Sequence, residues 1–167
     1  MGMNPQQLGS EIQQAMGYPS PPSRQLIGFA QGIIEELWQN GKFTSRNKPS
    51  GHTISGISPN SMASKIASAC GYPGVSSMLV SFSSGVCSHI SSNAITTYDS
   101  PTPTTDLPPP QCWYNNGKIS GLIGPDMASK IAKAMGQSFV SDKLLAECNA
   151  IVKHIMSNAI VKDGKIS

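Results

Sequence analysis

The sequence predicts a mainly α fold of three tandem helix-turn-helix (αα-hairpin) repeats, with short β-arms between and after them. Three observations carry this: an internal duplication, helix-start and helix-stop signals placed alike in each copy, and small turn motifs between copies. Met62-Ala63-Ser64-Lys65-Ile66-Ala67 recurs letter for letter as Met127-Ala128-Ser129-Lys130-Ile131-Ala132, 65 positions on. His89-Ile90 with Ser92-Asn93-Ala94-Ile95 returns at the same offset as His154-Ile155 with Ser157-Asn158-Ala159-Ile160. One spacing serving two separate segments is the mark of a repeated structural unit. The first copy is more diverged. Ser10-Glu11-Ile12 and Met16-Gly17-Tyr18-Pro19 match Ser64-Lys65-Ile66 and Cys70-Gly71-Tyr72-Pro73 at an offset of 54, and Leu26, Phe29, Gly32, Ile33 and Leu37 match Leu79, Phe82, Gly85, Val86 and Ile90 at 53.

Each unit opens on a cap followed by proline: Asn4-Pro5, Ser58-Pro59 and Gly124-Pro125. Proline is harmless in a first helical turn because its missing N–H would have no intrahelical partner there. About three turns later stand Gly17, Gly71 and Gly136, where a left-handed residue can end a helix. A second helix is predicted over about residues 23–38, 76–93 and 141–161, with Leu26, Phe29, Ile33 and Leu37 at the three-four spacing of one apolar face. The middle copy is rich in serine, a weak helix former, so packing must hold it. The units are set at residues 1–45, 58–98 and 121–167, with arms at 46–57 and 99–120.

The arms rest on Asn40-Gly41-Lys42-Phe43, Asn116-Gly117-Lys118-Ile119 and Asp163-Gly164-Lys165-Ile166, in which an Asn-Gly or Asp-Gly turn precedes a short alternation. His52-Thr53-Ile54-Ser55-Gly56-Ile57 resembles Lys118-Ile119-Ser120-Gly121-Leu122 and predicts small projecting strands; an irregular loop is the alternative. Two-stranded hairpins are marginal alone, so ordering only on docking is expected. The insert from Ser100 to Pro110 reads as extended polyproline structure or as a flexible spacer.

Charged residues make up 13% of the 167-residue chain, against about 25% in ordinary globular domains. Sparse charge suits a surface largely covered by neighbours in an assembly. The net charge is +3, and the single basic cluster, Lys42, Arg46 and Lys48, lacks the aromatic interleaving of a nucleic-acid groove. No apolar run approaches the roughly 20 residues of a membrane span, and no leader peptide is evident, so neither nucleic acid nor membrane is an expected partner.

Chemistry is sought in convergent polar groups. Glu35 and Glu36 diverge on a helix and read as a solvated face. His89 and His154 share one position before the core residues Ile90 and Ile155, with no further ligands at metal spacing. Cys70, Cys87 and Cys148 stand at apolar or small positions of the other copies and read as core. Cys112, beside Trp113 and Tyr114, remains open to exposure, partner contact or a redox role. No nucleophile elbow, phosphate loop, zinc signature or dinucleotide fingerprint is present. No catalytic, metal-binding or cofactor-binding residues are therefore assigned, and neither an enzymatic activity nor a small-molecule substrate is expected.

The pattern of Ser-Gly-Ile/Leu before a capped helix, then M-A-S-K-I-A, a glycine stop, a second amphipathic helix and a small-residue arm resembles repeats in structural proteins of tailed bacteriophages. It covers residues 55–94 and 120–160, with a fainter copy at the start. The resemblance implies a non-enzymatic virion component of the neck, tail or baseplate, made in the host cytoplasm. Its partners would be other virion proteins and copies of itself. It departs from many tail proteins in predicting no sheet or barrel. Phe43, Ile54, Trp113, Tyr114 and Ile119 are the predicted contact residues, because apolar groups on arms need burial. The alternative is a cellular helical-repeat adaptor that takes a peptide between its units.

Overall fold

The computed structural model describes residues 2–43, 50–98, 117–162 and 164–167. The fold is mainly α, with six helices among the described residues: α1 (Pro5–Met16), α2 (Arg24–Asn40), α3 (Pro59–Cys70), α4 (Ser77–Asn93), α5 (Gly124–Ala134) and α6 (Asp142–Asn158). Each helix packs on the next in chain order, and α6 returns to pack on α1, so the six form a closed ring.

The capping chemistry sets the helix ends. The Asn4 side chain accepts the backbone N–H groups of Gln6 and Gln7, and the Ser58 side chain accepts that of Ser61. Ser23, Ser76 and Ser141 do the same for Leu26, Leu79 and Leu144 at the starts of α2, α4 and α6. Gly17, Gly71 and Gly136 have φ of 77°, 76° and 74°, the left-handed conformation that turns the chain out of a helix without a Cβ clash. Two departures from expectation are local. The N-cap of α5 is Ile123, with no side-chain bond, and Gly124 is already helical; Asn149 of α6 leaves no room for a Cβ at that position. Helix α6 ends at Asn158 and not at residue 161, because Val161 is taken into a strand.

Close approach between helices depends on glycine where they pack most tightly. A Cβ on Gly32 of α2 would lie 2.6 Å from the Ile66 backbone nitrogen of α3, and one on Gly85 of α4 would lie 2.6 Å from that of Ile131 on α5. Side-chain movement cannot relieve a clash with backbone. Between the helices the core is aliphatic: Leu8, Ile12, Ile33, Leu37, Met62, Ile66, Val86, Ile90, Met127, Ile131, Ile151 and Ile155 are all essentially inaccessible.

The strands correct the expectation of projecting arms. Strands β1 (Lys42–Phe43), β2 (Ser50–Ser55), β3 (Ile95–Tyr98), β4 (Gly117–Ser120), β5 (Val161–Lys162) and β6 (Lys165–Ile166) form one closed antiparallel barrel in sequence order. Lys42 pairs with Lys165 to shut it, and the Phe43 N–H donates to the Gly164 carbonyl at 3.0 Å. Pairing of β2 with β3 shifts register between Ser50 and Thr53. Every strand follows an even-numbered helix or precedes an odd-numbered one, so the barrel caps one end of the ring. The helix-to-helix turns, residues 17–23, 71–76 and 135–141, occupy the other. Closure removes the unpaired edges that would make separate two-residue strands unstable. Phe43, Thr96 and Val161, with Ile54, Ile119 and Ile166, fill the barrel and are at most 4% exposed. Thr96 Oγ1 has no hydrogen-bond partner among the described residues.

Candidate functional site

Three polar side chains buried in the ring perform one recurring task. Glu36 Oε2 accepts the backbone N–H of Ser58 at 2.8 Å, His89 Nε2 accepts that of Ile123 at 3.0 Å, and His154 Nε2 accepts that of Asn4 at 3.1 Å. The three are wholly buried, and each acceptor reaches the N-cap residue of the next helix pair around the ring. A buried backbone donor left without an acceptor is costly, so these contacts tie adjacent pairs together. For His154 the contact spans the two ends of the described chain.

The neighbouring charges differ at each junction. Glu36 Oε1 also accepts from Lys65 Nζ at 2.7 Å, Ser61 Oγ at 2.6 Å and Asn40 Nδ2 at 2.9 Å. Burial pushes the Glu36 carboxyl upward, but the bonds from Lys65, Ser61, the Ser58 amide and Asn40 outweigh it and hold the group below its ordinary value. Glu36 is thus an interior ion-pair residue, which overturns its reading as part of a solvated face. His89 is held neutral by burial, with the nearby Lys130 adding to the effect and Asp126 opposing it. In His154 the amide contact at Nε2 places the ring proton on Nδ1, which donates to Glu11 at 2.6 Å. The arrangement is structural: each polar group is already engaged within the fold.

The opposite end of the ring offers a free site. A cavity of 590 Å³ opens between α1, the turn after it, α2, α4, α5 and α6. This lies within the size range of small-ligand pockets. Its wall is built from the first turns of the even-numbered helices, where Leu26, Leu79 and Leu144 recur, and from Met16 and Met135 at the ends of α1 and α5. Phe29 and Phe82 meet edge to face across it, ring centroids 5.2 Å apart and planes at 84°. The position on α6 that matches these two phenylalanines by sequence offset carries Glu147. Among the described residues Glu147 is the only charged one of the lining; it is half-buried and has no hydrogen-bond or ion-pair partner there. Burial in this apolar wall pushes its carboxyl up to about 7. At the mouth, Lys143 Nζ donates to Tyr18 Oη at 2.7 Å and stands 4.2 Å from the Tyr18 ring centroid. Gln13 Nε2 donates to the carbonyls of Tyr18 and Pro19 and braces the turn that forms the rim.

Of the residues predicted as contacts, Phe43, Ile54 and Ile119 face the barrel interior and are 1%, 4% and 2% exposed. Their need for burial is met by the chain itself, so they are not surface anchors in this fold. Trp113 and Tyr114 lie outside the described residues, as do Cys112 and the insert from Ser100 to Pro110. Cys70, Cys87 and Cys148 are buried thiols; burial, reinforced by the Glu36 charge, pushes Cys87 up to about 12, and burial raises Cys148 likewise. Among the described residues no three His, Cys, Asp or Glu side chains converge as metal ligands, and no helix is long and apolar enough to cross a membrane. Sequence reasoning missed the cavity. Its one available signal was Glu147, a carboxylate in a column otherwise occupied by Phe29 and Phe82. Comparison with family models, curated proteins and solved structures found no match to this chain.

Proposed function

We propose that this chain is a non-enzymatic structural component of a tailed-phage virion, in the neck, tail or baseplate. In this reading it consists of three tandem αα-hairpin repeats closed into a ring. It docks onto copies of itself and onto other virion proteins through the turn end. The observation that carries the docking is the apolar surface there: Phe139 is 74% exposed, Met78 61%, Val75 45% and Tyr18 41%. Single exposed apolar residues are ordinary, but four at one end of a small ring form the kind of patch that marks an interface. The low charge of the chain supports the same reading, as does the use of Glu36, His89 and His154 as fasteners and not in a shared reactive site. An adaptor that takes a peptide between units calls for an open concave face, and the return of α6 onto α1 gives that alternative less support.

The test is the native mass of the purified chain by light scattering across a concentration series, beside the double variant Met78→Ser/Phe139→Ser. A discrete closed oligomer for the natural chain, lost in the variant with its helical circular dichroism unchanged, supports the proposal. A chain that stays monomeric at every concentration contradicts docking between copies.

A further inference from the structure

We propose that the cavity at the turn end is a binding site for an organic ammonium ion, an amine carried on a compact aromatic or branched aliphatic body, with Glu147 as its counter-ion. The proposal rests on the shape and chemistry of the cavity and not on the docking reading, with which it shares Tyr18 and Met78 at the mouth. Its apolar wall, with Met16, Leu26, Phe29, Phe82 and Met135, removes a hydrocarbon body from water, and its 590 Å³ accommodates a small drug-sized molecule. Aromatic rings in the wall favour a cation over an anion. Glu147 is a single negative group in that wall, so it selects the sign of the ligand. A fatty acid or other carboxylate would place like charges together, and a neutral hydrocarbon would leave Glu147 unpaired.

The cation one turn before Glu147 is committed elsewhere. Lys143, one turn earlier on α6, is held by the hydroxyl and the ring of Tyr18. Among the described residues Tyr18 is the only other ionisable one of the lining, and Cys148, beside Glu147, is kept a neutral thiol by burial. From α1, α2, α4 and α5 the wall receives Gln13, Gln25, Met78 and Met135 together with the leucines and phenylalanines, none of them charged. A carboxylate with this environment is held near half-ionised at neutral pH, and an ammonium ligand would draw it to the charged form by supplying the missing partner.

The test is a titration of the full chain followed by the methionine methyl resonances, since Met16, Met78 and Met135 all line the cavity. Three probes of similar shape are used: 2-phenylethylammonium, 2-phenylethanol and 3-phenylpropanoate. The ammonium is expected to bind saturably at these methyls, about tenfold tighter than the alcohol, a difference on the scale of one charge-assisted contact. The carboxylate is expected to be weakest. Affinity for the ammonium should rise about fivefold from pH 6 to pH 8 as Glu147 ionises, while that for the alcohol should not. Glu147→Gln should reduce the ammonium to the level of the alcohol, and the preference should persist in Phe139→Ser, a change outside the lining that removes an apolar anchor of the docking reading. The proposal is overturned if the ammonium gives no saturable shift up to about 10 mM, if ammonium and alcohol bind alike, or if Glu147→Gln keeps the preference.

Discussion

Replacing Glu36 by alanine removes the acceptor for four donors at once. The carboxylate is fully buried, and the change strands the Ser58 amide and the Lys65 ammonium, whose side chain keeps 17% of its exposure. Removing one partner of a buried ion pair costs about 3–5 kcal/mol, and the residual access of Lys65 to water places this case near 3. The orphaned amide adds about 1 kcal/mol. The expected loss of about 4 kcal/mol is a large share of the roughly 5–15 kcal/mol that holds a domain folded, and it lowers Tm by about 10 °C for a chain of this size. Urea unfolding followed by circular dichroism measures it. A second comparison separates the junction from burial alone. Glu36→His keeps an acceptor for Ser58 but faces it with Lys65, as His89 is faced by Lys130. The double variant Glu36→His/Lys65→Glu rebuilds the pair that His154 makes with Glu11, and is expected to recover at least half of the loss. A cost below about 1 kcal/mol for Glu36→Ala, or a double variant no more stable than Glu36→Ala, would refute the equivalence of the junctions.

Gly85→Ala places a Cβ against the Ile131 backbone at 2.6 Å and is expected to destabilise by about 2–3 kcal/mol in the same urea assay, whereas Gly74→Ala, which meets nothing within 4 Å, serves as the tolerated control. Glu147→Leu should change the pH dependence of stability. The folded carboxyl lies near 7, above the ordinary value of 4.5, so the folded state binds the extra proton between those values and the natural chain loses stability as pH rises through them. The leucine variant lacks this loss. It should therefore exceed the natural chain by at most about 3 kcal/mol at pH 8, with an advantage that shrinks steadily toward pH 4; an advantage independent of pH would contradict the assignment.

The helices were legible because their signals are local. Asn4-Pro5 and Ser58-Pro59 at the starts, and Gly17 and Gly71 at the ends, act within one turn of the residues that carry them. The barrel was not legible for the opposite reason. Strands of two residues, such as Lys42–Phe43 and Val161–Lys162, carry no readable alternation, and pairing Lys42 with Lys165 joins segments 123 positions apart. Apolar residues of the arms were therefore assigned to partners when the chain buries them itself. From its immediate neighbours Glu36 reads as part of a polar face, while its partners Ser58, Ser61 and Lys65 lie on the following helix pair. The matched column of Glu36, His89 and His154 held that information, since three polar residues just before core positions imply one shared task. Glu147 stood equally open to comparison with Phe29 and Phe82, but only the folded ring shows that this column lines a cavity.

The most direct test of docking through the turn end is hydroxyl-radical footprinting of the chain before and after it assembles, read at Met78 and Phe139 on the turn end and at Trp38 near the barrel end. All three are exposed in the isolated chain, so all should oxidise there. Assembly is predicted to protect Met78 and Phe139 and to leave Trp38 reactive. Protection of Trp38 with Met78 and Phe139 unchanged would place the interface at the barrel end and contradict the account.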